Sequence, residues 1–187
     1  MVADASHPLA HPLSSKDLVT RGARLRADLR DLASGLPLLV AAVGIALAWL
    51  LARTSAGSES ARSIDTAIAL AVVGAVPPVW LARLALGLTS RSATPGQQAL
   101  GLRVQTMREP RRYAALVRLA MHPFGAVGWG WLALVLALAH LYAAALVLAG
   151  IAIAISAAGV VSFVLVLLAP SARALHDRVA RTALVNA

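Results

Sequence analysis

The chain has 187 residues, of which 59% are hydrophobic and 13% are charged. Soluble domains carry about 25% charged residues, so this composition excludes an ordinary soluble globule. The formal net charge is +9. In so apolar a chain, an excess of Lys and Arg indicates the orientation of the chain in the membrane rather than a surface that binds nucleic acid. Nucleic acid is therefore not an expected partner. The absence of cysteine excludes disulfides, thiolate zinc sites and iron–sulfur clusters.

The first part of the sequence is polar. Residues 1–16 predict a polar tail, without the charged and apolar regions of a signal peptide. From Asp17 to Asp31, charged residues recur every three or four positions beside a stripe of leucines. This pattern predicts an amphipathic interfacial helix over about residues 17–33. Residues 17–187 are expected to form a single transmembrane domain.

The rest of the chain predicts four membrane-crossing helices in two hairpins. The first two are expected at about residues 34–52 and 64–88, and the Pro77-Pro78 pair predicts a kink in the second. Residues 124–169 carry no charge, and one helix of that length would measure about 69 Å, more than twice the hydrocarbon core. This stretch therefore predicts helices at 124–141 and 144–169, with the turn at 140–143 or, as an alternative, at 149–150.

The distribution of positive charge predicts the orientation. Fourteen Lys and Arg residues lie in the N-terminal segment, the central loop and the tail, whereas Arg53 and Arg62 alone lie in the loop between the first two spans. Positively charged segments stay in the cytoplasm, so both termini and the central loop are expected there. The expected fold is thus an all-α membrane protein with two cytoplasmic-side interfacial helices.

The second interfacial helix is predicted at about residues 111–121. It has apolar residues on one side and Arg111, Arg112 and Arg118 on the other. A helix of this kind lies on the membrane surface with its arginines toward anionic lipid. These three arginines are therefore predicted to contact lipid headgroups.

Three charged residues share one helical face just before the first span: Arg24, Asp28 and Asp31. Fixed charges at the end of a span can bind an ion or relay a proton. The alternative is a solvated ladder of charges on an exposed face, where each pair contributes only a few tenths of a kcal/mol. Spacing alone favours the solvated ladder.

The C-terminal tail after Pro170 predicts a charged helix in which Asp177 lies four residues from both Arg173 and Arg181. His176 and Asp177 are adjacent, so their side chains point about 100° apart, and no nucleophile motif accompanies them. We therefore expect no catalytic residue and no enzyme activity. The other histidines are His7, His11, His122 and His140. Their spacing does not match a metal site, so neither metal nor cofactor is expected.

The loop after the second span contains TPGQQALGLRV at residues 94–104. Its first residues, Thr-Pro-Gly, are typical of a turn. The alternating apolar residues that follow are typical of a short extended segment. A structured loop folded against the membrane face is predicted. Its candidate functional residues are Thr94, Pro95, Gly96, Gly101 and Arg103.

Together these motifs resemble the RDD family of small bacterial membrane proteins. Three motifs stand in the family's order over roughly residues 21–185: Arg24, Ala27 and Asp31, then TPGQQALGLRV, then ARALHDRVARTALV. The resemblance implies that the family's Arg is Arg24 and that its two Asp are Asp31 and Asp177. It also implies a multi-pass protein of the bacterial inner membrane. The family's activity is largely unassigned, with cation–proton exchange proposed for some members.

Two functions remain open at this stage. An accessory or scaffold subunit, packed against other membrane proteins or its own copies, is favoured because the spans are rich in Ala and Gly, which let helices approach closely. The alternative is transport of ions or small solutes by an oligomer. Transport normally needs polar groups at mid-membrane, and the last two spans offer only His140, Ser156 and Ser162.

One long-range contact is also predicted. Arg24, Asp31 and Asp177 should belong to one charge cluster on the cytoplasmic side, together with Asp28 and His176. The predicted topology puts their segments on the same face, and partly desolvated charges need partners. A bridge from Arg24 to Asp177 would hold the first helix against the last.

Overall fold

The structure is a computed structural model that describes residues 19–57, 59–106, 111–168 and 174–187. The predicted tail at residues 1–16 therefore lies outside the described residues. The first helices are α1 (Arg21–Ala33), α2 (Leu36–Arg53), α3 (Ser63–Gly74), α4 (Val76–Arg91) and α5 (Pro95–Gln98). The later ones are α6 (Arg111–Ala120), α7 (Pro123–Leu138), α8 (Tyr142–Leu168) and α9 (Leu175–Val179). Two strands, β1 (Leu102–Thr106) and β2 (Thr182–Asn186), complete the described elements.

Three helical stretches in the described part of the chain are long and apolar enough to cross a membrane: Arg21–Arg53, Ser63–Arg91 and Tyr142–Val164. A fourth is reached if α6 and α7, which meet at a bend of 74°, form one span. The structure thus supports three or four of the four predicted spans. The 33 residues of the first stretch would measure about 50 Å, so we take the apolar α2 as its membrane-crossing part and leave the charged α1 outside.

The predicted breaks in the spans are present. The second span is divided between α3 and α4, with prolines in the first turn of α4, where a missing N–H is tolerated. The chain turns between Leu138 and Tyr142, and His140 adopts a positive φ of 60° there. The first of the two predicted turn positions is therefore confirmed. The alternative at 149–150 is wrong, because Gly150 lies inside α8.

The all-α prediction is wrong at one place, because β1 and β2 pair antiparallel with Leu102 opposite Asn186 and Val104 opposite Leu184. The predicted extended segment after the second span is β1. The single charged helix predicted for the tail is also wrong, since α9 ends at Val179 and Arg181, at φ 51°, turns the chain into β2. The burial of β2, in which Thr182 to Val185 are all buried, and its pairing with β1 outweigh the helical charge spacing of the tail.

One compact layer covers an end of the spans, and we call it the capping layer. It contains α1, α5, β1, α6, α9 and β2. Its apolar core is formed by residues from α1, β1, α6 and β2, from the end of α4 and from the segment just before α1: Val19, Ala27, Leu88, Leu102, Val104, Ala115 and Leu184. The first described helix, the central loop and the last strand therefore meet on the same side of the spans.

Candidate functional site

Asp177 lies at the centre of the capping layer. Its side chain is fully buried, and Oδ2 accepts a hydrogen bond from Nη1 of Arg24 at 2.7 Å. Its other oxygen, Oδ1, accepts from Nε of Arg118 at 2.7 Å and from the hydroxyl of Thr182 at 3.3 Å. We call Arg24, Arg118 and Asp177 the Asp177 cluster. The predicted bridge between Arg24 and Asp177 is thus present, and a second arginine joins it.

The structure corrects the prediction that Arg118 contacts lipid headgroups. Its side chain is 5% exposed and paired with Asp177. On α6, Arg118 follows Ala114 by four positions and Ala115 by three, so all three share the buried face. The two alanines leave room for the guanidinium to reach inward. Arg112 is exposed, and the side chain of Arg111 lies outside the described part of the chain.

The packing of α1 also differs from the predicted ladder of solvated charges on an exposed face. Its leucines at positions 25, 29 and 32 are exposed, whereas Ala27 and Asp31 are buried. The charged face of α1 therefore packs inward, and its apolar stripe faces outward. The predicted alternative of exposed, weakly paired charges does not describe this helix.

Asp31 holds the loop after the second span. Its carboxylate accepts hydrogen bonds from the hydroxyl of Thr94 and from the backbone N–H of Gly96, the latter at 2.7 Å. Thr94 also caps α5, where it forms a capping box with Gln97. A Cβ at position 96 would overlap the carbonyl oxygen of Ala27 and lie 2.9 Å from Cγ of Asp31. This close approach is the physical reason for glycine in the TPG motif.

The single predicted cluster divides into two hydrogen-bonded groups, although Arg118 of the Asp177 cluster also interacts electrostatically with Asp31. In the described residues, no hydrogen bond or ion pair joins Asp31 to Arg24 or Asp177. Asp31 binds the loop, and Asp177 binds α1 and α6. The remaining loop candidates are peripheral, since Gly101 turns the chain at φ 64° and Arg103 is exposed on β1.

Two histidines lie between Asp28 and Asp177. Nε2 of His122 is 3.8 Å from Oδ1 of Asp28, and Nε2 of His176 is 3.6 Å from Oδ1 of Asp177. The two imidazole rings have centroids 4.5 Å apart. Sequence reasoning did not assign His122 to this group. The sequence offered one indication of the position of His122, since it directly precedes Pro123 at the start of a helix. In the structure His122 caps α7 and accepts a hydrogen bond from the N–H of Phe124 at 3.2 Å.

The charge states of α9 follow from burial and from the arginines. Burial alone would raise the pKa of Asp177, but the guanidinium groups of Arg118 and Arg24 hold it well below its ordinary value. Burial lowers the pKa of His176 to about 3. His176 is therefore neutral at pH 7, and the ionised partners of Asp177 are the two arginines.

A cavity of about 360 Å³ opens beside the histidines. Leu25, Phe124 and Phe163 form part of its apolar wall, and Asp28 and His176 contribute polar groups. The side chain of Asp28 is 34% exposed. Asp28 is thus the carboxylate of this region that a small solute can reach, whereas Asp177 is enclosed by its partners.

The Asp177 cluster is internally satisfied. Within the described residues, every fully buried side-chain nitrogen or oxygen has a hydrogen-bond partner. A carboxylate that is buried and bound by two arginines fixes the position of three elements and is not free to act on a substrate. The arrangement is therefore suited to holding the capping layer closed.

The sequence also matches a family model, that of the RDD family, over residues 18–181. The chain belongs to the RDD family. It is an RDD membrane protein with apolar helices long enough to cross a bilayer. Neither the curated proteins nor the solved structures contain a match to it. Of the residues that the resemblance assigns to the Arg and two Asp of the family, Arg24 and Asp177 are in contact, and Asp31 binds the TPG loop instead.

Proposed function

We propose that this RDD protein is a non-enzymatic accessory or scaffold subunit of the bacterial inner membrane, which packs through its spans against other membrane proteins or its own copies. The proposal rests on the positions of the polar groups in the described spans. Arg53 pairs with Asp65 at 3.0 Å at one end of the first two spans. Ser156, inside α8, donates to the carbonyl of Ala152 on its own helix at 2.9 Å. These three groups are satisfied within the chain. Arg83 lies inside the span Ser63–Arg91, eight positions before its last residue, so these groups together offer no continuous polar path across the membrane.

The faces of the spans support the proposal. In the most apolar stretch of each candidate span, 11% to 17% of the residues are buried within the chain. At Gly44, Gly74 and Gly150, a Cβ would have no described atom within 4 Å apart from the adjacent residues and backbone of its own helix. By contrast, a Cβ on Gly159 would lie 2.6 Å from Pro123, so that glycine is used inside the chain. Open glycines beside exposed apolar residues let a partner helix approach closely.

Purification in mild detergent tests the proposal. We expect a complex of defined stoichiometry, either with another membrane protein or with further copies of this chain, by native mass spectrometry. Gly44→Leu and Gly150→Leu should weaken it. Gly22→Leu is the matched control, because Gly22 also has open space around it but lies in α1. A monomer in wild type and in all variants would contradict the proposal.

The orientation is part of the proposal. We propose that the capping layer faces the cytoplasm, so that both termini are cytoplasmic. Fourteen Lys and Arg residues lie in the segments on this side and two in the loop between the first two spans. Positively charged segments are retained in the cytoplasm during insertion, which supports this orientation.

A second candidate, transport by an oligomer, is favoured by the cavity beside Asp28 and His176. A partly exposed carboxylate at the end of a span is suited to binding a cation or a proton. Cation-dependent proton flux in liposomes would favour transport if Asp28→Asn abolishes the flux and Glu59→Gln preserves it. Glu59 is an exposed residue outside the capping layer, so it controls for the loss of one negative charge.

A further inference from the structure

A second cleft, of about 600 Å³, lies between the last turns of α4 and helix α5. Gly87 permits its shape, because a Cβ there would lie 2.7 Å from the carbonyl oxygen of Ala93. The loop after α4 therefore returns closely over the helix. Arg83, Leu86 and Arg91 line the cleft from α4, and Gln98 at the end of α5 and Ala99 directly after it line the other side.

The charge of this cleft is positive. Nη1 of Arg91 donates to Oε1 of Gln98 at 3.2 Å, and Arg30 of α1 reaches the carbonyl of Ala99 at 3.1 Å. Among the described residues, no ion pair to a carboxylate involves Arg83, Arg91 or Arg30. Asp31, the residue after Arg30, is buried and bound to the TPG loop. Asp31 interacts electrostatically with Arg83, but it does not line the cleft. No carboxylate stands among the described residues of the cleft wall, which holds two arginines with a third at its rim.

The position of the cleft along α4 points to the membrane. Arg83 precedes Arg91, the last residue of the span Ser63–Arg91, by eight positions, which corresponds to about 12 Å along a helix. The apolar stem of an arginine can lie along the span while its guanidinium extends toward the headgroup level. Val79 and Leu86 lie four residues before and three residues after Arg83, so they share its face, and they are 52% and 67% exposed.

We propose that this cleft binds the headgroup phosphate of an anionic phospholipid, with an acyl chain along the exposed apolar face of α4. Guanidinium groups bind phosphate through paired hydrogen bonds, which favours this headgroup chemistry. The apolar surface next to the arginines favours a lipid over a free phosphate ion. The proposal also gives the chain a lipid contact in place of Arg118, which is buried in the Asp177 cluster.

Lipid binding to the purified full-length chain tests this proposal. Native mass spectrometry in detergent would compare phosphatidylglycerol with phosphatidylcholine, with inorganic phosphate added as a competitor. We expect preferential binding of phosphatidylglycerol. The substitutions Arg83→Gln and Arg91→Gln should each weaken binding of phosphatidylglycerol about fivefold. This factor corresponds to about 1 kcal/mol, the usual contribution of one basic residue near a membrane surface. Arg103→Gln, an exposed arginine of β1, is the charge-matched control.

A second pair of variants leaves every arginine in place. Ala99 is exposed at the edge of the cleft, so a larger side chain there should be tolerated. Ala99→Glu adds a carboxylate to the cleft and should weaken binding of phosphatidylglycerol, whereas Ala99→Gln adds the same volume without charge and should not. Equal effects of Glu and Gln, or an effect of Arg103→Gln as large as that of Arg83→Gln, would overturn the proposal. Displacement of the lipid by millimolar inorganic phosphate would overturn the lipid assignment.

Discussion

Arg24 and Asp177 are 153 positions apart in the chain, and Nη1 of Arg24 lies 2.7 Å from Oδ2 of Asp177. Because Arg118 binds the other oxygen of the same carboxylate, one side chain connects α1, α6 and α9. A buried charge with two bound partners is tolerated, whereas a buried charge that loses its partner is costly. The Asp177 cluster therefore contributes to the stability of the capping layer.

The first prediction concerns Asp177→Asn. The variant keeps the shape of the side chain but leaves Arg24 and Arg118 without their counter-charge. We expect a loss of about 3 to 5 kcal/mol in the free energy of unfolding, the usual cost of breaking a buried pair. Arg118→Gln should cost more than Arg24→Gln, because Arg118 is 5% exposed and Arg24 is 14% exposed. Unfolding of the detergent-solubilised variants measures all three.

A double-mutant cycle checks the direct contact. Arg24→Gln should cost much less in the Asp177→Asn background than in the wild type, since the pair is already broken. Additive losses would contradict the pairing. A charge swap of Arg24 and Asp177 should not restore stability, because arginine at position 177 would face Arg118.

The second prediction concerns the loop held by Asp31. Gly96→Ala places a Cβ 2.9 Å from the backbone nitrogen of Asp31, so we expect a lower melting temperature. Gly22→Ala is the opposite case, since that position in α1 has nothing within 4 Å. It should be neutral or stabilising by up to about 1 kcal/mol, the helix-propensity difference. Equal destabilisation by both substitutions would argue against close packing at Gly96.

The third prediction concerns acid sensitivity. The pKa of His176 is lowered to about 3 in the folded chain, while it is about 6.5 in an unfolded one. Between these values the unfolded state binds the extra proton, so stability rises with pH and falls as the medium is acidified. We expect His176 to contribute a loss on the order of 1 to 2 kcal/mol between pH 7 and pH 5.

His176→Gln tests this acid sensitivity. The variant should lose stability less steeply with acidification than the wild type, in melting temperatures measured from pH 7 to pH 5. His140→Gln is the control, because His140 lies on the exposed turn between α7 and α8. Parallel pH profiles for wild type and His176→Gln would show that His176 does not carry this dependence.

The fourth prediction concerns the proposed orientation. Reporter fusions after Gly57, between the first two spans, and after Thr106, at the end of β1, should lie on opposite sides of the membrane. The fusion after Thr106 should be cytoplasmic, because the capping layer holds most of the positive charge. Activity of both reporters on the same side would reject the arrangement of the first two spans.

The pair of Arg24 and Asp177 could be predicted because charge distribution put both segments on one face, where desolvated charges need partners. The role of Arg118 could not be predicted from the sequence. Amphipathic spacing shows that α6 has two faces, but it does not distinguish a face that meets lipid from one that meets α9. The strand β2 was missed for a similar reason, since charges four residues apart indicate a helix locally, while its partner β1 lies about 80 residues away. Pairing over such a separation leaves little signal in the segment itself.

The β1–β2 pairing has a consequence for the order of assembly. β2 follows every described span along the chain, so the ribosome synthesises and releases it after all of them. Until residues 182–186 emerge, β1 has no partner strand, and Asp177 lacks Thr182, the third donor to its carboxylate. The spans can thus enter the bilayer before the capping layer closes, and pairing of the two strands marks the completion of the fold.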